Sequence, residues 1–174
     1  MVDDMSDKLD ILLTIQEGSG WSEPNESYIK LLSPLGNTTI CEHKSHNPEC
    51  KIADHNQLEV SVYLCDEDQM QILNTEYRNK PKSTNVLSFS LLETNESEKL
   101  MLGDVVISLQ DVEREAEEQK IPFKHHLSHL FVHGLLHLLG HDHENANDAE
   151  KMEAMERVIL SKFGISKLHQ VEDA

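Results

Sequence analysis

Hydrophobic and polar positions along the chain follow two periods, one typical of strands and one typical of helices. Residues 57–64 alternate between polar and apolar, which predicts a strand with one buried face. Similar or short apolar runs bring the predicted strands to four: 9–16, 57–64, 86–90 and 105–108. Apolar residues at helical spacing predict five helices: one opening near Pro24, then 66–78, 109–119, 124–139 and 146–163.

Residues 36–56 lose this periodicity and are rich in Gly, Asn, Thr, His and Pro, so we expect a loop or an insertion there. In the helix that follows the second strand, we expect Met70, Leu73 and Tyr77 to face inward. At 174 residues, with no repeats and no low-complexity linker, the chain is predicted to form a single domain over 1–174. Gly103 and Asp104 are expected to form a turn before the last strand.

The formal net charge is −17, which argues against a broad nucleic-acid-binding surface, because phosphate contacts need Lys and Arg. The acidic residues are unevenly spread, however. Arg78, Lys80 and Lys82 form a small basic island with only Glu76 nearby. We expect that such an island could hold one strand of nucleic acid but not a long duplex.

The cellular location is predicted from three features. No apolar run approaches the roughly eighteen residues of a membrane span, so no membrane partner is expected. The acidic start of the chain lacks the basic residues of a signal peptide. Three cysteines, Cys41, Cys50 and Cys65, are too few and too sparse for a disulfide framework, which favours the reducing cytoplasm.

The segment 133–143 carries the chemistry, because it places three histidines at the spacing H-x3-H-x5-H. His133 and His137 are four residues apart, so on a helix their rings point the same way. Gly140 is expected to end the helix, which allows the chain to fold back and bring in His143. Three protein ligands are typical of a catalytic zinc ion, which keeps one position open for water. The sequence therefore predicts one Zn²⁺ ion on these histidines.

The helix that carries the first two histidines is apolar nearly all round, and only the sector of His129, His133 and His137 is polar. Such a helix is buried, so the histidines are expected to face an internal cleft. The spacing also occurs in metzincin peptidases, which carry a general-base Glu directly after the first His. Gly134 stands at that place here, which makes peptide hydrolysis the weaker alternative.

Four stretches together resemble one family. In order along the chain they are Leu73-Asn74 with Tyr77-Arg78, Thr84-Asn85-Val86-Leu87-Ser88-Phe89, Leu102-Gly103-Asp104, and the histidine segment from His133 to His143. These stretches are similar to the bacterial YbeY family, the zinc-dependent endoribonucleases of rRNA maturation. The resemblance is strongest over residues 58–160.

The resemblance implies an α+β fold, in which a mixed sheet of about four strands is packed by about five helices around a buried central zinc-binding helix. It implies a single-strand-specific endoribonuclease in 16S rRNA 3′-end maturation and ribosome quality control, with zinc-bound water or hydroxide as the attacking species. The family's ligands correspond to His133, His137 and His143, and its functional arginine corresponds to Arg78, which would contact phosphate. The implied partners are rRNA and the small ribosomal subunit, with ribosomal proteins and assembly GTPases.

Three positions depart from the family pattern. Ser83 and Ser90 stand where the family often has Pro, and His141 stands where Tyr is common. We expect the serines to loosen their loops, and His141 to alter the pH dependence or to add a spare ligand.

Other candidates keep two interpretations each. His129 either supports the metal site or the substrate, or is a core histidine. Asp142 either orients a ligand imidazole or makes a turn. Asp104 either faces the cleft or belongs to the turn predicted at Gly103. A second group (Cys41, His43, His46 and Cys50) matches no zinc-finger spacing and is interpreted as part of the 36–56 loop. Cys65 is predicted to be core.

At the level of function, the alternative to an endoribonuclease is a non-catalytic ribosome-assembly factor with a structural zinc. Both hypotheses use the same motifs, so the sequence does not separate them.

Overall fold

A four-stranded mixed sheet forms the framework of the computed structural model, which describes residues 7–92 and 99–166. Its strands are β1 (Lys8–Ile15), β2 (Gln57–Cys65), β3 (Val86–Ser90) and β4 (Leu100–Ser108), in the order β1-β2-β4-β3. β1 and β4 run parallel to β2, whereas β3 runs antiparallel to β4.

Five helices are present in the described residues: α1 (Asn25–His46), α2 (Glu67–Arg78), α3 (Leu109–Gln119), α4 (Phe123–Leu138) and α5 (Ala146–Ser161). α4 lies at the centre, because it packs against β3 and β4 and also against α1, α3 and α5. The α+β class, the sheet and the buried central helix are therefore confirmed. None of the helices in this part of the chain is both long and apolar enough to cross a membrane.

The two faces of the sheet are covered by different helices. On the α4 face, Leu58, Val60, Val62 and Leu64 of β2 are fully buried in the main hydrophobic core, as their alternation predicts. On the other face, Cys65 of β2 packs in a smaller cluster with Met70 of α2 and with Leu87 and Val106.

The prediction of a loop over 36–56 is wrong in its first half, since α1 continues to His46 and only 47–56 connects it to β2. The buried residues of α1 recur at helical spacing: Tyr28, Leu32, Leu35, Gly36, Thr39, Ile40 and His43. A Cβ on Gly36 would lie 2.6 Å from Leu9 Cδ2, so the glycine lets α1 approach β1 closely. Burial against the sheet thus outweighs the low helix propensity of Pro34, Gly36 and the threonines.

Two further expectations are corrected. β4 begins at Leu100, so Gly103 and Asp104 lie within a strand and do not form a turn. Gly103 adopts a φ of 141°, and a Cβ there would lie 2.1 Å from the backbone oxygen of Phe89, so this position of the sheet requires glycine. Tyr77 is 60% exposed instead of facing inward, and its ring packs on that of Phe89.

Two predictions fall partly outside the described residues. The acidic start of the chain covers residues 1–6, and a single domain over 1–174 also includes residues 93–98 and 167–174.

Candidate metal centre

The candidate site is built on the last turns of α4. Every residue from His126 to Leu136 is buried, so His129 and His133 have little access to bulk water, whereas His137 is half-buried. Gly134 makes the close packing possible, because a Cβ there would lie 2.9 Å from Val105 Cγ1 and 3.2 Å from Ser88 Oγ. A glutamate at this position, as in the metzincin pattern, would have no room.

A tight turn after α4 brings in the third histidine. Gly140 adopts a φ of 95°, which a residue without Cβ adopts without strain. Asp142 Oδ1 then accepts hydrogen bonds from the backbone N–H of His143, at 2.7 Å, and of Glu144, at 3.2 Å. Asp142 therefore makes the turn, which was one of its two interpretations.

The three histidines converge. Each offers one ring nitrogen, and these three atoms lie within 4.8 Å of one another. His133 Nε2 and His137 Nε2 are 3.1 Å apart. Two nitrogens on one tetrahedral zinc ion, at bond lengths of roughly 2.0–2.1 Å, lie about 3.3 Å apart, so the donor set fits such an ion with small adjustments. Imidazole nitrogen also suits other transition metals, so the site by itself indicates a metal and not which one.

A buried carboxylate that the sequence did not reveal contacts His133 at the ring nitrogen that points away from the cluster. Glu156 of α5 is 4% exposed, and its Oε1 lies 2.5 Å from His133 Nδ1 while its Oε2 lies 2.9 Å from His129 Nε2. Burial raises the pKa of Glu156, but the hydrogen bonds from the two histidines outweigh that effect and lower it to about 2. Glu156 therefore stays ionised, and His133 donates its Nδ1–H to it.

This hydrogen bond decides which nitrogen of His133 faces the cluster. With the proton on Nδ1, the lone pair is on Nε2, which points toward His137. His129 contacts Glu156 and is not part of the cluster. One signal in the sequence could have found Glu156, because it is a charged residue within the buried stripe of α5, beside Met152, Met155 and Ile159.

The predicted arginine lies near the cluster. Arg78 ends α2, and the chain turns there through Asn79, which has a φ of 57°. A cavity of about 500 Å³ is lined by Arg78 and Lys80 together with His137 and His143. Ser88, Ser90, Leu138, Asp142 and Glu144 complete its wall. The structure therefore brings the basic side chains and the histidines to one cavity.

The remaining candidates lie elsewhere. Asp104 is on the same face of β4 as Val106, which packs toward α2, so it points away from α4. Cys41 is exposed on α1 and Cys65 is buried, where desolvation raises the pKa of its thiol to about 12. Within the described ranges, only one group of three or more His, Cys, Asp or Glu side chains could hold a metal ion, and it consists of His133, His137 and His143.

The three departures from the family pattern each make a specific contact. The Ser83 hydroxyl donates to the buried carboxylate of Asp111, and the Ser90 hydroxyl donates to the backbone oxygen of Leu138 at 3.0 Å. Both contacts tie their segments down, contrary to the expectation of looser loops. His141 Nε2 lies 2.9 Å from His43 Nδ1 of α1, so His141 joins the turn after α4 to α1 and is not in the ligand cluster.

Fold and site together define a protein with a three-histidine candidate metal centre on a buried helix, beside a cavity with basic side chains. The family described as Endoribonuclease YbeY matches residues 32–164, and the chain belongs to this family. Two relatives named Endoribonuclease YbeY are 46% identical over 124 residues (Rhodopseudomonas palustris) and 50% identical over 114 residues (Bradyrhizobium diazoefficiens).

These matches cover 70% and 63% of this chain, and 65% and 62% of the relatives, so the chain spans less than two thirds of their length. The solution structure of a protein from Thermotoga maritima has a similar fold. Its TM-score is 0.53 at 27% identity, and the match covers 88% of this chain and 91% of that one.

Proposed function

We propose that this protein is a zinc-dependent endoribonuclease that cuts single-stranded rRNA in the cytoplasm, at the 3′ end of 16S rRNA during maturation and in ribosome quality control. The observation that carries the proposal is the shared cavity, which Arg78 and Lys80 line together with His137 and His143. Family membership supports the same reaction class.

The residues of the chain have separate tasks in this proposal. His133, His137 and His143 would hold one zinc ion, and Glu156 keeps His133 in the tautomer that binds metal. When bound, zinc acts as a Lewis acid and lowers the pKa of a coordinated water toward 7. Arg78 would contact the scissile phosphate, because its planar guanidinium matches two phosphate oxygens, and Lys80 would add a second positive charge.

Peptide hydrolysis is disfavoured on steric grounds. General-base catalysis contributes roughly 10²–10⁴-fold to such reactions, and the metzincin place for that base is Gly134. The contacts of Gly134 with Val105 and Ser88 leave no space for a larger side chain there.

The implied partners are the small ribosomal subunit, ribosomal proteins and assembly GTPases. A net charge of −17 would make a free nuclease find RNA slowly, so a ribosomal partner that presents the RNA fits this chain. The same charge favours the second candidate function, an assembly factor that binds without cutting.

The test is cleavage of an end-labelled 16S rRNA 3′ fragment by zinc-loaded protein, next to His133→Ala and Arg78→Ala. Arg157→Ala is the matched control, because Arg157 is an exposed arginine that forms an ion pair with Glu153 on the same helix. Discrete cuts by the wild type and the control, lost in the two site variants, are expected. Binding without cutting by the zinc-loaded wild type supports the assembly factor, and cuts that persist in His133→Ala contradict the metal site.

A further inference from the structure

A second and larger cavity adjoins the histidine cluster on the side away from Arg78. Its volume is about 950 Å³, within the range of small-molecule sites. One wall is the end of α1 with residues 47–52, and the other wall is the end of β3 together with the last turn of α4. Nothing in the proposed reaction so far uses this cavity.

Part of the lining of this cavity is apolar, and the rest carries the polar side chains of His43, Asn47, Glu49, Lys51, Ser90 and His137. Ile52, Leu138 and Leu139 are buried side chains that line it, and Cys50 and Leu92 are partly buried beside them. Glu49 and Lys51 are both exposed and have opposite charges, so neither sign of charge dominates the lining. Such a surface suits a neutral, flat group with apolar faces, whereas a phosphate would lose its solvation there without a strong partner.

The two cavities adjoin each other, because both are lined by Ser90, His137 and Leu138. The cluster histidine His137 therefore stands between a basic compartment, with Arg78 and Lys80, and an apolar one, with Ile52 and Leu139. A nucleotide has the same division, since its phosphate is anionic and its base is neutral with apolar faces.

From this arrangement we infer that the 950 Å³ cavity is a nucleobase subsite, which takes one unpaired base next to the phosphate held at the histidine cluster. The inference rests on the proposed function and names the part of the substrate that gives it specificity. A base in a duplex would first have to unpair and unstack, so the subsite selects single-stranded RNA.

Two thiols of the chain allow a direct test. Cys50 lines the cavity, whereas Cys41 is exposed on α1 outside it, and Cys65 is buried. Alkylation of Cys50 by N-ethylmaleimide is followed by peptide mass spectrometry, with Cys41 as the internal reference. The zinc-loaded wild type is mixed with a 2′-O-methyl oligonucleotide of the 16S rRNA 3′ sequence, with its duplex, or with an oligonucleotide of abasic sugar and phosphate.

With the free single strand at about ten times its Kd, Cys50 alkylation is expected to slow roughly tenfold while that of Cys41 is unchanged. The duplex and the abasic strand are expected to leave Cys50 reactive. Equal protection by the abasic strand, or a bound single strand that leaves Cys50 reactive, overturns the subsite. Cleavage by the same preparation is measured in parallel, so that the subsite can fail while the nuclease activity stands.

Filling the cavity gives an independent measurement. Cys50→Trp is expected to weaken binding of the single strand about tenfold, as the loss of one base–protein contact would do, and to leave binding of the abasic strand unchanged. Cys41→Trp is the matched control on the exposed face of α1. Tight binding of the intact strand to a folded Cys50→Trp protein contradicts the inference, and the alkylation test needs no substitution if that variant fails to fold.

Discussion

Glu156 shows how one carboxylate can prepare a metal site from inside the core. Its two oxygens are used by two histidines of α4, at 2.9 Å and 2.5 Å, and it is almost completely buried. A buried ionised carboxylate is costly unless it is fully hydrogen-bonded, so the pair of imidazole donors stabilises it. In return, Glu156 fixes the ring orientation of His133.

The first prediction concerns this residue. Glu156→Gln is expected to weaken zinc binding roughly 10–100-fold, because the amide nitrogen would place a donor against one of the imidazole N–H groups. Competition with a chromophoric zinc chelator measures the affinity. Glu153→Gln on the same helix, whose carboxylate is an ion-pair partner of Arg157 at 4.0 Å, is expected to bind zinc like the wild type. Unchanged affinity in a folded Glu156→Gln protein would show that Glu156 is only a core residue.

His43 makes a second prediction at the scale of single residues. Burial, and secondarily the charge of His141, lower the pKa of His43 to about 4 from its ordinary value of 6.5. The unfolded chain therefore takes up a proton on His43 below about pH 6.5, whereas the folded chain does so only near pH 4. The contribution of neutral, buried His43 to the free energy of unfolding is therefore fully present above pH 6.5. It falls between pH 6.5 and 4, by at most about 3 kcal/mol.

His43→Gln is expected to flatten that decline, since glutamine does not titrate. Urea unfolding at pH 7, 6, 5 and 4, with a chelator present so that metal release does not contribute, measures the slope. His46→Gln is the control, because His46 is exposed on the same helix. A decline as steep in His43→Gln as in the wild type would mean that other groups cause it.

At the scale of elements, α1 is the helix whose second half the sequence pattern did not predict. Pro34 lies in its interior, removes a backbone donor and disfavours the preceding residue in helical conformation. The helix persists because its buried stripe packs on β1 and α4. The side chain of Pro34 itself is exposed, so the proline costs backbone energy without contributing to the core.

Pro34→Ala is therefore expected to raise the free energy of unfolding by about 1–2 kcal/mol. An interior proline costs roughly 3 kcal/mol in a helix, and the greater freedom of the unfolded alanine chain returns up to about 1 kcal/mol of that. Urea unfolding measures the change, with Ser33→Ala as the neighbouring control. A destabilised Pro34→Ala protein would show that the native packing of α1 depends on the proline.

At the scale of the whole molecule, the acidic charge limits how RNA is bound. Arg78 and Lys80 are the basic residues that line the cavity beside the histidine cluster, while the chain as a whole carries −17. Association with RNA is therefore expected to depend on the local contact with these basic side chains and on a partner that presents the RNA. Long-range electrostatic attraction between protein and RNA is expected to contribute less.

The salt dependence of binding tests this view. Two phosphate contacts on a single strand give a slope of log Kobs against log salt of about −1.4, far shallower than that of a protein with a broad basic surface. Fluorescence anisotropy measures the slope between about 50 and 300 mM salt, which is roughly a sixfold range of concentration. Lys80→Ala is expected to reduce the slope by about 0.7, and Lys151→Ala on the exposed face of α5 to leave it unchanged. A slope steeper than about −4 would indicate a larger basic surface.

The amino-acid sequence by itself determined the elements with strong local signals. The alternation of β2, the helical periodicity of α2 and the histidine spacing on α4 each depend on residues close together in the chain, and the structure has these elements where they were predicted. The nearness of His133, His137 and His143 followed in the same way, because a helix and one glycine turn bring them together.

Only the tertiary structure decided the rest, because the deciding contacts join distant segments. The second half of α1 is helical because it is buried against β1 and α4. Gly103 lies in a strand, where the backbone oxygen of Phe89 in β3 leaves no space for a Cβ. Glu156 reaches His133 across 23 positions of the chain, and Arg78 reaches the cavity of His137 from another helix. Local periodicity carries no information about such pairs, which exist only once the helices and the sheet are packed.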